Sequence, residues 1–203
     1  MDGVTVVESN GGAMETTSSR TEVVVRNILL MTDFFSASEK ALQYAVAIAK
    51  GYDSKIHLVH VIEPTAAEVL TGEPLPKHYE RQHKIAEQEL GKQTEELGNV
   101  SHQTYVKHGT VSEVVQVMMR ENQIDLVVAG THGARGLEKL VLGSTAEEIF
   151  RTVTCPVLTI GPNTPLEAGV AVNCILFPTD LVSEESAALG HAISLSNRLN
   201  AHL

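Results

Sequence analysis

The stretch GTHGARGLEKLVLGS, Gly130 to Ser144, concentrates glycine between two apolar segments and ends on a hydroxyl residue. Glycine loses more backbone entropy on folding than other residues, so such a cluster needs a compensating use. Two uses fit: a tight surface turn, or a loop whose bare backbone passes close to a ligand. The spacing matches neither G-x-G-x-x-G nor G-x-x-x-x-G-K-[ST], the two commonest phosphate fingerprints. It reads Gly130-x-x-Gly133, nine residues, then Gly143-Ser144. The loop leaves the carboxyl end of the apolar run DLVVA and closes where a helical pattern begins, which is where open α/β sheets bind ligands. Free amides and the positive end of the helix dipole favour an anion there by about 0.3–1 kcal/mol, and phosphate is the natural occupant.

Other polar residues point elsewhere. His132 lies inside the loop with no partner identified by sequence, and Arg135 and Lys139 are interleaved with Glu138 and Glu147, so solvated side chains are expected. His57 and His60 in IHLVHV fall on opposite faces of a strand, which excludes joint metal binding and predicts packed, hydrogen-bonded imidazoles. Cys155 and Cys174 form no C-x-x-C and no ligand-like cluster, and both are expected as buried thiols rather than metal ligands or a disulfide.

The elements that must position the loop alternate regularly. Apolar runs read as strands in VVRNILLMT, KIHLVHVI, HQTYVKH, IDLVVAG and PVLTI, and helical patterns cover Ser36 to Lys50, Lys77 to Leu97, Val111 to Glu121 and Ser144 to Val153. Leu42, Ala45, Val46 and Ala49 recur at helical spacing, as do Val111, Val114, Val115 and Met118. Capping boxes are expected at Ser36 with Glu39, Thr110 with Glu113 and Ser144 with Glu147. Strand-helix alternation implies parallel strands with right-handed crossovers, and strand cores apolar on both faces imply helices on each side. The fold class is therefore α/β, a doubly wound parallel sheet.

Composition narrows the function. The 203 residues suffice for one well-cored domain and something extra, and 43% hydrophobic with 20% charged residues is an ordinary globular balance. A formal charge of −10 with no basic run argues against a nucleic-acid partner. The apolar runs fall far short of the roughly 18 residues a membrane span needs, and the N-terminus lacks a signal-peptide pattern, so a cytoplasmic location is the expectation. Residues 1–21, rich in Gly, Ser, Thr and Glu, are expected to be a disordered head.

The chain also repeats itself. ILLMTDFFSASEKALQYAVAIAK, from Ile28, is echoed by ILFPTDLVSEESAALGHAISLSN, from Ile175, with Ile, Leu, Thr, Asp, Ser, Ala, Leu and Ala in matching positions. The expected organisation is one domain over 22–162, a linker over 163–173 and an incomplete second copy over 174–203. A fragment of about 30 residues is too small to bury a core alone, so it must lean on the first domain, on another chain or on sequence beyond it.

The pattern G-2x-G-9x-G-(S/T) after the fourth strand resembles the nucleotide-binding motif of the universal stress protein family. ILLMTDFFSASEKAL resembles that family's first strand and turn, and CPVLTIGP its last strand. The resemblance covers Val25 to Pro162 and resumes at Cys174. It implies a five-stranded sheet in the order 3-2-1-4-5, an adenine nucleotide at the switch between strands one and four, and dimerisation through the last strand, Pro156 to Ile160. By position, Asp33 would accept from the ribose hydroxyls and Val61 would offer its backbone to adenine. Gly130 and Gly133 would pass close to ribose and the first phosphate, while Gly143, Ser144 and Thr145 would hold the outer phosphates. The sequence departs from the family at Met31, where Pro is frequent and where the second copy keeps Pro178.

Phosphoryl transfer needs a held metal, a cation on the departing charge and a group orienting the nucleophile. The sequence supplies an anion cradle but neither a P-loop lysine nor an evident base, and no catalytic residue is assigned. The leading expectation is a stress-response protein that binds ATP, AMP or ADP, with Mg neutralising the phosphates, and acts by occupancy. A slow ATPase or phosphotransferase and a nucleotide-free interaction module are the alternatives. Asp180 matches Asp33, but no glycine loop follows it. Calorimetric titration with ATP should therefore saturate at one nucleotide per chain, and two equal sites would contradict this reading.

Overall fold

The computed structural model describes residues 23–71, 76–131, 144–161, 164, 172–177 and 187–203, with 144–147 and 187–188 described by backbone alone. Chain order is β1 (Asn27–Met31), α1 (Ser36–Tyr52), β2 (Lys55–Ile62), α2 (Ala66–Thr71), α3 (Pro76–Leu97) and β3 (His102–His108). There follow α4 (Val111–Asn122), β4 (Leu126–Gly130), α5 (Ser144–Thr152), β5 (Val157–Ile160) and α6 (Ala187–Leu199). The five strands are all parallel and lie in the order β3-β2-β1-β4-β5, as expected. Strand order reverses between β1 and β4, so the crevice beyond their carboxyl ends is the topological switch point.

Period-two alternation sorts the central strands onto two cores. Ile28 and Leu30 of β1, with Ile56 and Leu58 of β2 and Leu126 and Val128 of β4, meet Ala41, Leu42, Ala45 and Ile48 of α1 and Leu90 and Leu97 of α3. Leu29, Met31, Val59, Val127 and Ala129 face the other way, onto Val111, Val114, Val115 and Met118 of α4 and Ile149 of α5. Burying each such aliphatic side chain contributes about 1.5–3 kcal/mol. β3 departs from the expected pattern: Gln103 and Thr104 are exposed, since an edge strand need not be covered on both faces.

Local chemistry sets the boundaries. α4 has its capping box, with Thr110 Oγ1 accepting from the Glu113 amide at 3.4 Å and Glu113 Oε2 accepting from the Thr110 amide at 3.1 Å. The Thr110 hydroxyl, donating to Glu113 Oε2 at 2.8 Å, and then the Thr110 amide hold the Glu113 carboxyl below its ordinary value. α3 ends at Leu97 against Gly98, whose φ of 57° a side chain would resist. Ser36 is not a cap. Helix α1 begins on it, the preceding Phe35 is the N-cap and makes no side-chain capping bond, and the Phe35 amide is taken by Asp33 Oδ1. The box expected at Ser144 and Glu147 concerns side chains outside the described residues.

The sequence reading omitted α2. Its signal is Thr65-x-x-Glu68, a capping box in which Glu68 Oε2 accepts from the Thr65 amide at 2.8 Å and Thr65 Oγ1 accepts from the Glu68 amide at 3.3 Å.

Beyond β5, α6 lies along α1. Tyr52 Oη and Ser194 Oγ are 2.7 Å apart, the Arg198 guanidinium sits 5.3 Å from the Tyr52 ring centre, and Leu195 and Leu199 join the core beside α1. Cys174 pairs with His202 in an isolated parallel bridge. Two positions that echo buried leucines of the first domain are open here: Leu176 is 89% and Leu189 39% exposed, whereas their counterparts Leu29 and Leu42 are buried. Cys174 is likewise exposed and Cys155 half-buried, correcting the expectation of two buried thiols. Among the described residues Cys174 lies in an isolated bridge outside the sheet, whereas Cys155 has Met119 Sδ at 3.8 Å.

Gly130 carries a packing constraint. It ends β4, and it is not among the glycines with positive φ, so left-handed backbone is not its reason for being glycine. A Cβ there would stand 2.8 Å from the Ala37 carbonyl carbon and 2.8 Å from the Ser38 nitrogen, both backbone atoms of the first turn of α1. Gly130→Ala should therefore force β4 and α1 apart, at a cost of about 1–3 kcal/mol. A lowered urea midpoint at unchanged slope is expected, and an unaltered midpoint would contradict the contact.

Candidate functional site

The strand ends explain which groups gather at the switch point. Met31 pairs with Val59, and β1 stops there while β2 runs on to Ile62. One further rung forms beyond β1, from the Thr32 amide to the Val59 carbonyl at 3.0 Å. Backbone groups of alternate residues point to the same side, so the N–H and C=O of Val61 face the β1 side as those of Val59 do. In a regular parallel ladder the Val61 amide would next donate to the Thr32 carbonyl, and the Val61 carbonyl would accept from Phe34. Neither bond forms. The Thr32 carbonyl lies 2.9 Å from His60 Nδ1, and the Phe34 amide donates to Thr32 Oγ1 at 3.1 Å. Among the described residues, both backbone groups of Val61 lack a hydrogen bond.

The turn after β1 is held from several directions. Thr32 is buried, and its Oγ1 is 3.3 Å from Ser38 Oγ, which in turn donates to the Phe35 carbonyl at 2.8 Å. Asp33, half-buried, accepts the Phe35 amide on Oδ1 at 3.0 Å, and its Oδ2 has no bond among the described residues. Phe34 has φ of 65°. For a residue with a side chain that conformation costs about 1–2 kcal/mol. It is offset by its amide bond to Thr32 and by stacking on the His60 ring, with centroids 4.3 Å apart. Each of these contributes about 0.5–1.5 kcal/mol.

Asp33, Val61 and Gly130 are thus brought to the carboxyl ends of three adjacent strands, in the order β2, β1, β4. Gly133 and Gly143 lie outside the described residues, as do His132, Arg135 and Lys139. Ser144 and Thr145 open α5, so the helix start expected after the glycine loop is present, with their side chains outside what is described.

Histidines that sequence reasoning passed over gather on the same side of the crevice. His83 Nδ1 and His108 Nε2 are 3.2 Å apart, Tyr79 stacks on His108, and Glu87 lies 3.4 Å from His83 Nε2. The two facing ring nitrogens need one donor and one acceptor, and which ring donates depends on the tautomers. The signal for this contact was the i, i+4 spacing of Tyr79, His83 and Glu87 on α3. Among the described residues no group of three or more His, Cys, Asp or Glu could hold a metal ion. On the opposite sheet face His57 is buried between Tyr105 Oη at 3.1 Å and Asn27 Oδ1 at 3.2 Å, as a packed imidazole should be.

Burial is the largest cause lowering the pKa of His57, with Lys55 adding to it. It also lowers that of His60, outweighing the opposing Thr32 bond and Asp33 charge. His108 is lowered by burial and then by His83 and His60, against Glu68.

A five-stranded all-parallel sheet in the order β3-β2-β1-β4-β5 with helices on both faces defines a doubly wound α/β protein. The universal stress protein family model matches residues 25–161, and the chain belongs to that family. It is 28% identical over 146 residues to universal stress protein MJ0531 of Methanocaldococcus jannaschii, covering 68% of this chain and 84% of that protein. It is 31% identical over 139 residues to universal stress protein A homolog 1 of Coxiella burnetii, covering 66% and 95%. Among solved structures it resembles hypothetical protein MJ0577, with a TM-score of 0.62 at 23% identity over 70% of this chain and all of that one. It also resembles UspA from Lactobacillus plantarum, with a TM-score of 0.58 at 20% identity over 68% and 98%. These likenesses agree on the fold. No helix among the described residues is long and apolar enough to cross a membrane.

The three lowered histidines set a sign for stability. Unfolded imidazoles titrate near about 6.5, so below that value the unfolded chain binds more protons than the fold. Their contribution is complete above about pH 6.5 and is lost as pH falls beneath it. The urea midpoint should be lower at about pH 5.5 than at about pH 7.5, and His57→Gln should shrink the difference. A midpoint that rises on acidification would contradict the assignment.

Proposed function

We infer that the chain binds an adenine nucleotide at this crevice and acts in the stress response by nucleotide occupancy. The observation that carries the reading is the unclaimed peptide group of Val61, an N–H donor and a C=O acceptor side by side at the switch point. That pair matches the acceptor and donor on the edge of an adenine ring. One strand away, Asp33 keeps Oδ2 for ribose hydroxyls while Oδ1 anchors the turn. Gly130 lets the first turn of α1 close on β4 beside the crevice, and the start of α5 presents amides without intrahelical partners to phosphate oxygens. Gly133, Gly143, Ser144 and Thr145 complete the proposed cradle, with Mg balancing the phosphates against an acidic chain.

β5 is an edge strand, and we assign it the pairing of two copies. The repeat from Cys174 onward is read as the start of a second domain whose helix α6 rests on α1.

Mass spectrometry of small molecules released from the gently denatured, purified chain should find ATP, ADP or AMP. Asp33→Ala should weaken ATP binding about 10- to 100-fold in calorimetry, the loss expected for a hydrogen bond to a charged group. No adenine nucleotide on the purified protein and none bound on addition would sink the reading, as would an Asp33→Ala variant of unchanged affinity.

A further inference from the structure

We propose that His60 is a positioning residue for the nucleotide site: its imidazole ends the β1–β2 ladder early and so keeps the Val61 peptide group free for the ligand. The inference rests on the adenine-nucleotide reading for its consequence, though not for its geometry.

Three contacts support it. A carbonyl can only accept, so the 2.9 Å approach of His60 Nδ1 to the Thr32 oxygen fixes the hydrogen on Nδ1. That oxygen is the one the Val61 amide would claim if the ladder continued, and the Val61 amide makes no backbone bond among the described residues. The same ring stacks on Phe34, whose left-handed backbone turns the Phe34 amide onto Thr32 Oγ1 rather than toward Val61. One imidazole therefore grips residues on both sides of Asp33 and blocks the next two rungs. His60 itself precedes Val61 on β2 and reaches β1 through its side chain, so the device is built from two adjacent positions of a single strand.

Removing the ring should let the ladder extend. In His60→Leu the Thr32 carbonyl becomes available to the Val61 amide, and the turn carrying Asp33 loses its hold. His60→Asn keeps an N–H at the place of Nδ1 and should retain most of the native arrangement. The test uses the full chain in two measurements. In ligand-free protein, hydrogen exchange followed by NMR should show the Val61 amide exchanging fast in the native chain and in His60→Asn, and becoming protected in His60→Leu. Calorimetry with ATP should show His60→Leu weakened about three- to tenfold, the loss of one hydrogen bond's alignment, with His60→Asn closer to native. Equal Val61 exchange in all three proteins would overturn the proposal, as would a His60→Asn variant behaving like His60→Leu in both measurements. If the native chain binds no nucleotide, the functional reading fails, and Val61 exchange still decides the role of His60.

Discussion

A parallel sheet must stop somewhere, and where neighbouring strands stop at different heights the longer one presents backbone groups that no strand can satisfy. Here β2 outruns β1 at the carboxyl edge, and the peptide group of Val61 is the result. Leaving an amide and a carbonyl without partners is costly when they are sheltered from water, and such groups are rare. The rest of the crevice is arranged around that gap. The Thr32 amide supplies the last rung, His60 and Thr32 Oγ1 divert the next two, and the strained backbone of Phe34 carries Asp33 to the opening.

The switch point is where these groups can meet because topology leaves room there. Connections from β1 and β4 depart to opposite faces of the sheet, α1 to one and α5 to the other. Gly130 marks how tight the remaining fit is: the first turn of α1 approaches β4 so closely that a single methyl group would strike its backbone. The glycine that the sequence offered as a flexible phosphate-loop residue is, in the structure, also a packing residue of the scaffold.

Much of the fold was legible because its strands and helices are strongly patterned. KIHLVHVI and HQTYVKH coincide with β2 and β3, and the Thr110 capping box sits where its spacing put it. The start of α1 was misread, since Ser36 and Glu39 have the spacing of a capping box. Asp33 overrides it by taking the Phe35 amide, a local competition that spacing alone does not resolve. Asp33 and Val61 were reached through family resemblance rather than derived from residue chemistry, whereas Gly130 was marked by the glycine spacing itself. Nothing in the type of Val61 advertises a backbone group. The part played by His60 was not legible at all, because it depends on β2 running three residues past the end of β1, a property of register and not of composition. The Tyr79–His83–His108 contact was hidden for a related reason: α3 and β3 each carry half of it.

The central claim is that the gap beside Val61 is a nucleotide seat. It is tested most directly by following backbone amide shifts in a two-dimensional NMR spectrum while AMP is added to the full chain. The account predicts that Val61, Asp33 and Gly130 shift first and most, saturating together, while amides of α3 beyond Ala86 stay in place. Saturable shifts confined to another surface, or no shifts at all with AMP or ATP, would contradict it.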